Sequence, residues 1–152
     1  FDGEKINVAK SVGRLAALKE KIKNNTPEGV MGIGHTRWAT HGRPSDVNSH
    51  PHTDCSGKFA IVHNGIIENF MSLKEELIAK GHKFVSETDT EVVAHLIEDV
   101  YEGDFVEAVN KVLNRIEGSY SLAFMCQDYP DTLICTKKDN PLVIGLGEGE
   151  NL

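Results

Sequence analysis

The chain has 152 residues, 39% of them hydrophobic and 26% charged, with a net charge of −7. That suits one folded domain with its own core and not a disordered chain. No basic run is present to neutralise phosphates, which argues against nucleic acid and acidic membrane surfaces as partners, and no apolar stretch approaches the roughly 18 residues of a membrane helix.

The start, Phe1-Asp2-Gly3-Glu4, carries an Asp-Gly turn signal with a strand after it (Lys5 to Ala9) and none before it, so the sequence reads as opening inside a hairpin. Ser11 to Asn24 places Val12, Leu15, Leu18 and Ile22 at helical spacing with lysines toward its C-terminal end, which predicts an amphipathic surface helix ended by Asn24-Asn25 and Pro27. Val30 to Gly34 reads as a short strand with glycines for close approach.

The stretch from Met31 to Asn69 holds five of the seven histidines and the single tryptophan, and it has little periodicity before Lys58. A long irregular segment inside a domain is more often functional than connective. Its first part, HTRWATHG, offers Arg37, Thr40 and His41 close together. A guanidinium fork fits a carboxylate, and a hydroxyl and an imidazole beside it complete an anion-binding corner. His50-x-His52 is a two-ligand metal fragment, but no cysteine or acidic residue stands at ligand spacing beside it and no HEXXH helix is present. His35, His41, His50, His52 and His63 are therefore expected to hold the loop by hydrogen bonds, with no metal and no cofactor.

FAIVHNG (Phe59 to Gly65) reads as a buried strand ending in Asn64-Gly65. Two readings stay open for that pair. It suits a type I′ hairpin turn. It also has the composition of an oxyanion hole, in which a side-chain amide and a backbone N–H meet one oxygen. A helix is predicted over Asn69 to Lys80 with Leu73, Leu77 and Ile78 inward and Gly81 after its end. His82 to Ser86 is read as a short strand. SETDTEVVAHLIEDVY (Ser86 to Tyr101) supplies a capping box from Thr88 to Glu91, then a buried face of Val92, Val93, Leu96, Ile97 and Val100. Asp89 by itself reads as a first-turn acid that complements the helix dipole.

Asp104 to Glu117 is the next amphipathic helix, with Phe105, Val109, Val112, Leu113 and Ile116 apolar. Tyr120 to Cys126 and Thr132 to Thr136 form a hairpin of strands read as covered on both faces. Pro141 to Leu146 reads as a last strand. The odd count of three cysteines, without framework spacing or a signal peptide, points to reduced thiols in a cytoplasmic protein, with two buried thiols favoured over a disulfide at Cys126 and Cys135.

HTRWATHG, NSHPH, VHNGIIEN and SETDTE, in that order, resemble the glutamine amidotransferase domains of the glutamine–fructose-6-phosphate aminotransferases, the glucosamine-6-phosphate synthases. The resemblance runs from about Lys5 to Asn151. The tryptophan and THG set the chain apart from the related phosphoribosyl-pyrophosphate amidotransferases. It implies an α+β N-terminal-nucleophile hydrolase fold, a four-layer α/β/β/α sandwich of two mostly antiparallel sheets, truncated at the N-terminus in this chain.

It also implies L-glutamine as substrate. Arg37, Thr40 and His41 would hold its α-carboxylate, Asp89 its α-ammonium, and Asn64 and Gly65 the oxyanion. Trp38 would lie near the ammonia route and His50 near the sugar-isomerase domain of the same enzyme, with a homo-oligomer expected. The family's nucleophile is an N-terminal cysteine, whereas residue 1 here is Phe1. The expectation is therefore that the first elements of the domain lie outside this sequence and that the chain by itself does not hydrolyse glutamine. The alternatives are a non-catalytic glutamine-binding module and the glutaminase domain of another amidotransferase.

Overall fold

Two nine-residue strands form the centre of the molecule. β2 (Phe59–Ile67) and β3 (Gly118–Cys126) pair antiparallel from Phe59↔Cys126 to Ile67↔Gly118. The two-residue β1 (His52–Thr53) adds to the free edge of β2, and β4 (Leu133–Lys138) to the free edge of β3, giving the order β1-β2-β3-β4. These assignments come from a computed structural model that describes residues 1–24, 26–37 and 42–152.

Strand alternation decides which side is core. Phe59, Ile61, His63 and Ile67 share a face with Tyr120, Leu122, Phe124 and Cys126, and all eight are buried. Three helices cover that face: α2 (Phe70–Ala79), α3 (Thr90–Val100) and α4 (Phe105–Leu113). α3 packs on β1 and β2 with α2 and α4 beside it. Eight of its eleven residues are buried, and these include the polar Thr90, Glu91 and His95 as well as the apolar face of Val92, Val93, Leu96 and Ile97. Each fully buried Val, Leu or Ile of α3 contributes about 1.5–3 kcal/mol. α4 opens on Asp104, whose carboxylate accepts the Glu107 N–H at 2.8 Å.

The result is α+β. Of the layered sandwich, the described residues form the helix layer and one sheet. The sheet's second face carries buried Ala60 and Met125, and the extended segments around Ile6 to Ala9 and Pro27 to Ile33 border a cavity with those two residues.

Several local expectations are corrected. Lys5 to Ala9, Val30 to Gly34, His82 to Ser86 and Pro141 to Leu146 are not ladder strands; near the last there is only an isolated bridge, Leu146↔Asn151. Their apolar residues favour extended backbone, but a ladder needs a run of paired residues, and these segments make only single contacts such as Leu146↔Asn151 and the Phe1 ammonium on the Met31 carbonyl. The helix read over Ser11 to Asn24 shortens to α1 (Leu15–Ile22), which buries no residue. Ile78, expected inward, is 52% exposed, because α2 meets the core through Phe70, Leu73 and Leu77. β4 is an exposed edge strand, not one covered on both faces, and it ends in Lys137 and Lys138.

Asn64-Gly65 is not a turn. It lies inside β2, with Gly65 opposite Tyr120. The three cysteines are free, and the register puts Cys135 opposite Ala123, on the face away from Cys126.

Candidate functional site

β1 pairs only with Ala60 and Ile61, so the edge of β2 beyond Ile61 is open. Side-chain groups occupy that edge instead of a strand. His63 N–H donates to His50 Nδ1 at 3.3 Å, and Ile67 N–H to Asp89 Oδ2 at 2.9 Å. Gly65 lies midway between them. By the two-residue repeat of an antiparallel strand, its N–H leaves on the same edge. Gly65 itself has φ +125°, and a Cβ there would sit 2.1 Å from the Ser119 carbonyl oxygen. Only glycine lets β2 and β3 approach this closely at the site.

Asn64 is the exposed neighbour. Its Oδ1 lies 2.7 Å from His35 Nε2, and its backbone oxygen accepts from Asn140 Nδ2 at 3.0 Å. With Oδ1 engaged by the imidazole, the amide NH₂ is the end left to donate elsewhere. Asp89 is 4% exposed, sits at the start of α3, and spends one oxygen on the Ile67 N–H. Its backbone is the N-cap, yet no side-chain cap bond forms. The expected Thr88–Glu91 capping box is therefore absent. Thr88 Oγ1 instead meets His52 Nε2 at 3.0 Å, and Glu91 accepts from Val85 N–H, Ser86 N–H and Ser86 Oγ at 2.6–2.8 Å.

Arg37 donates to the carbonyls of Gly42 and Arg43, at 3.1 and 3.4 Å, which ties it across the loop. Trp38, Thr40 and His41 lie outside the described residues. The loop beyond them is held by Asn48, a buried residue the sequence reading passed over. Asn48 donates to the Arg43 carbonyl and to Glu87 Oε2, both at 3.0 Å, and accepts the Glu87 N–H at 2.9 Å. His35 and Thr90 were passed over as site residues too; Thr90 Oγ1 is 2.9 Å from His63 Nδ1. Their roles depend on contacts 27 to 29 residues apart, which no local pattern encodes.

These groups meet around one cavity of ≈ 320 Å³, lined by Arg37, His50, Asn64, Gly65 and Asp89 among others. A larger cavity of ≈ 530 Å³ adjoins it and shares His35, Arg37 and His50, but its further lining comes from the loop and start of α1 and brings no carboxylate. The smaller one combines a guanidinium, a carboxylate, an amide and a strand-edge N–H. That set can hold a small zwitterion and face a carbonyl oxygen. None of Cys55, Cys126 and Cys135 lines it.

His50 and His52 are kept neutral. Burial, then the positive side of His35, pushes His50 down to about 2; burial, then Lys10, pushes His52 down to about 3. An unfolded histidine takes its proton near pH 6.5. Between that pH and about 3 the unfolded chain binds the extra proton at His52, so stability falls as pH drops through this window. At pH 5 the loss from His52 alone is about 2 kcal/mol. Thermal midpoints at pH 7.5 and pH 5 should therefore differ less in His52→Gln than in the parent chain. An equal difference in both would remove His52 as the source.

The helix-on-sheet arrangement is that of the N-terminal-nucleophile amidotransferases. The glutamine phosphoribosylpyrophosphate amidotransferase of B. subtilis, solved with ADP and GMP, superposes with a TM-score of 0.61 at 30% identity, over 83% of this chain and 28% of that one. A structure titled as the allosteric regulatory enzyme of purine biosynthesis gives 0.63 at 30% identity over the same shares. In sequence, the chain is 58% identical over 146 residues to the glutamine–fructose-6-phosphate aminotransferase (isomerizing) of Caldanaerobacter subterraneus subsp. tengcongensis, covering 96% of this chain and 24% of that protein. It is 55% identical over 151 residues to the protein of the same name from Thermococcus kodakarensis, covering 98% and 25%. Residues 35–151 match the glutamine amidotransferase domain, and the chain belongs to that family. It spans about a quarter of the length of these curated relatives.

Proposed function

We propose that this chain is the glutaminase part of a glucosamine-6-phosphate synthase: it binds L-glutamine so that the side-chain amide is hydrolysed to glutamate and ammonia, and the ammonia passes to fructose 6-phosphate on a sugar-isomerase domain. The observation that carries the reading is the single cavity bordered by Arg37, Asp89, Asn64 and Gly65. Arg37, with Thr40 and His41, takes the α-carboxylate; Asp89 takes the α-ammonium. A clamp with one charge for each end selects a free amino acid over a peptide. A cysteine thiolate, which family resemblance places at the mature N-terminus, attacks the amide carbon. Asn64 Nδ2 and the Gly65 N–H stabilise the oxyanion. Ammonia leaves, and water hydrolyses the thioester.

Trp38 and His50 border the route toward the sugar half. His50 also accepts the His63 N–H, so it braces the strand edge from which Gly65 donates. The reaction needs no metal or organic cofactor, and a cytoplasmic homo-oligomer is part of the same proposal.

Calorimetry of L-glutamine with this chain tests the clamp directly. Saturable binding is expected, and Arg37→Lys should weaken it at least about tenfold, or roughly 1.4 kcal/mol, because lysine keeps the charge but loses the fork. Unchanged affinity in Arg37→Lys, or no binding by the parent chain, overturns the assignment. With the thiol nucleophile present, Asn64→Ala should lower turnover by about 10²–10³ and leave glutamine affinity close to its original value. If affinity falls as much as turnover, Asn64 is a structural residue.

A further inference from the structure

Away from the cavity, four side chains that the glutamine reading does not use converge on one point. Cys55 comes from the turn between β1 and β2, His82 from the connection after α2, and His95 and Glu98 from one face of α3 at i and i+3. One ligand atom from each lies within 4.8 Å of all the others. Cys55 Sγ is 3.6 Å from His95 Nδ1, His82 Nδ1 is 3.0 Å from Glu98 Oε2, and His95 Nδ1 is 3.4 Å from the same oxygen. A tetrahedral ion with bonds of about 2.0–2.3 Å needs ligand-to-ligand edges of about 3.3–3.7 Å. The observed separations bracket that range before any adjustment.

The orientation of the rings points the same way. Both imidazoles turn Nδ1 toward the common centre and Nε2 toward a carboxylate: His95 Nε2 is 3.6 Å from Glu91 Oε1, and His82 Nε2 is 3.7 Å from Asp99 Oδ1. Metal-bound histidines are commonly backed in this way. In the buried His95, Nε2 has no hydrogen-bond partner among the described residues, so the ring is not placed by bonds of its own on that side. Backbone groups fix the other two ligands. The Lys83 N–H points to Cys55 Sγ at 3.4 Å, and Glu98 Oε2 accepts the Cys55 N–H at 3.2 Å. Cys55 is exposed, which leaves a way in from solvent.

We propose that Cys55, His82, His95 and Glu98 form a structural site for a divalent metal of the zinc class. One thiolate, two imidazoles and one carboxylate are the donors such an ion prefers, and four protein ligands leave no open position for catalysis. The thiolate and the carboxylate balance the ion's two charges. On uptake, the Cys55 S–H proton goes to solvent as the metal–sulfur bond forms. The ion would join the β1–β2 turn and the α2–α3 connection to α3, the helix that carries Asp89 at its start. This inference is independent of what the cavity binds.

The test uses the chain stripped with chelator and kept under a non-thiol reductant. Zn²⁺ titration should give one tight site per chain, with a thermal midpoint that rises with free metal. Co²⁺ in its place should give visible bands of tetrahedral intensity and a near-ultraviolet thiolate-to-cobalt band. Cys55→Ser is almost isosteric at an exposed position; it should abolish the thiolate band. It should also weaken Zn²⁺ by more than the roughly 10–100-fold that loss of an outer-shell partner costs. His82→Gln should weaken Zn²⁺ while the thiolate band survives at saturating Co²⁺. The proposal is overturned if the stripped chain takes up no Zn²⁺, or if Co²⁺ binds without a thiolate band, as it would on the cavity histidines. Unchanged affinity in Cys55→Ser overturns it equally.

Discussion

Gly65→Ala is expected to destabilise the chain by about 4 kcal/mol. Two effects add. The residue holds φ +125°, a region that costs an L side chain on the order of 1–3 kcal/mol. The new methyl would also meet the Ser119 carbonyl oxygen at 2.1 Å and Asn140 Nδ2 at 2.6 Å. Asn140 can swing aside, but Ser119 O is backbone of β3 and moves only if the β2–β3 pairing opens. Overpacking of that kind costs about 1–3 kcal/mol or more. Against a total of about 5–15 kcal/mol for a domain, the variant keeps little reserve.

A thermal midpoint lower by roughly 8–16 °C is the expected reading at about 2–4 °C per kcal/mol. A loss under 1 kcal/mol would mean that β3 yields at Ser119, and the close approach of the two strands would then carry no structural weight. Gly65→Ala also tests the site. Opening the pairing displaces the N–H that faces the cavity, so any folded fraction should bind glutamine yet fail to stabilise the oxyanion.

The helix layer could be read from local pattern because burial there follows periodicity. Val92, Val93, Leu96 and Ile97 recur at helical spacing, and α3 buries all four. Tyr120 to Cys126 was legible for the same reason, as a run with no polar interruption beyond Ser121. The Asn64-Gly65 pair misled because its local chemistry is identical in a hairpin turn and in a strand that needs a glycine. Only its partner Tyr120, 55 positions along the chain, decides between them. The same limit hid Asn48 and gave Glu91 the wrong partners, a capping box in place of Val85 and Ser86. A polar residue bonded to backbone donors 39 or 6 positions away carries no mark in the residues beside it.

Arg37 was legible from its own neighbourhood as an anion-binding residue, Asp89 as a site residue only through four motifs read together, and both line the ≈ 320 Å³ cavity. The Cys55, His82, His95 and Glu98 cluster was not legible. Its ligands are spread over more than forty positions, and only His95-x-x-Glu98 has helical spacing. His50-x-His52, the fragment weighed and set aside as a metal site, holds its two rings edge to face at 5.0 Å.

Glu91→Ala is the second large effect, expected to cost about 3–5 kcal/mol although Glu91 contacts no ligand site in the cavity. Glu91 is 2% exposed. Burial by itself would raise its pKa, yet the His95 imidazole nearby and bonds from the Ser86 hydroxyl and from the backbone of Val85 and Ser86 hold it at about 2, so it is ionised at neutral pH. Truncation leaves the Ser86 N–H buried without an acceptor and the Ser86 hydroxyl with only Thr88 Oγ1 to turn to; an unsatisfied buried group costs about 1–3 kcal/mol, and the lost charge-assisted bonds add to it. The Val85 N–H adds less, because Val85 is 76% exposed and its donor can reach water.

Glu91→Gln distinguishes lost charge from lost shape. It keeps one acceptor but turns an NH₂ toward donors, and about 2 kcal/mol is expected. Urea unfolding should therefore order the three chains as parent, Gln, Ala. If Ala and Gln are equal, the cost lies in the charge alone; if Ala equals the parent, the carboxylate does not anchor Ser86. The segment it anchors, Val85 to Thr88, leads directly into Asp89. Loss of that anchor should then loosen the α-ammonium end of the proposed clamp, and glutamine affinity in folded Glu91→Gln should fall while the Arg37 contacts to Gly42 and Arg43 stay in place.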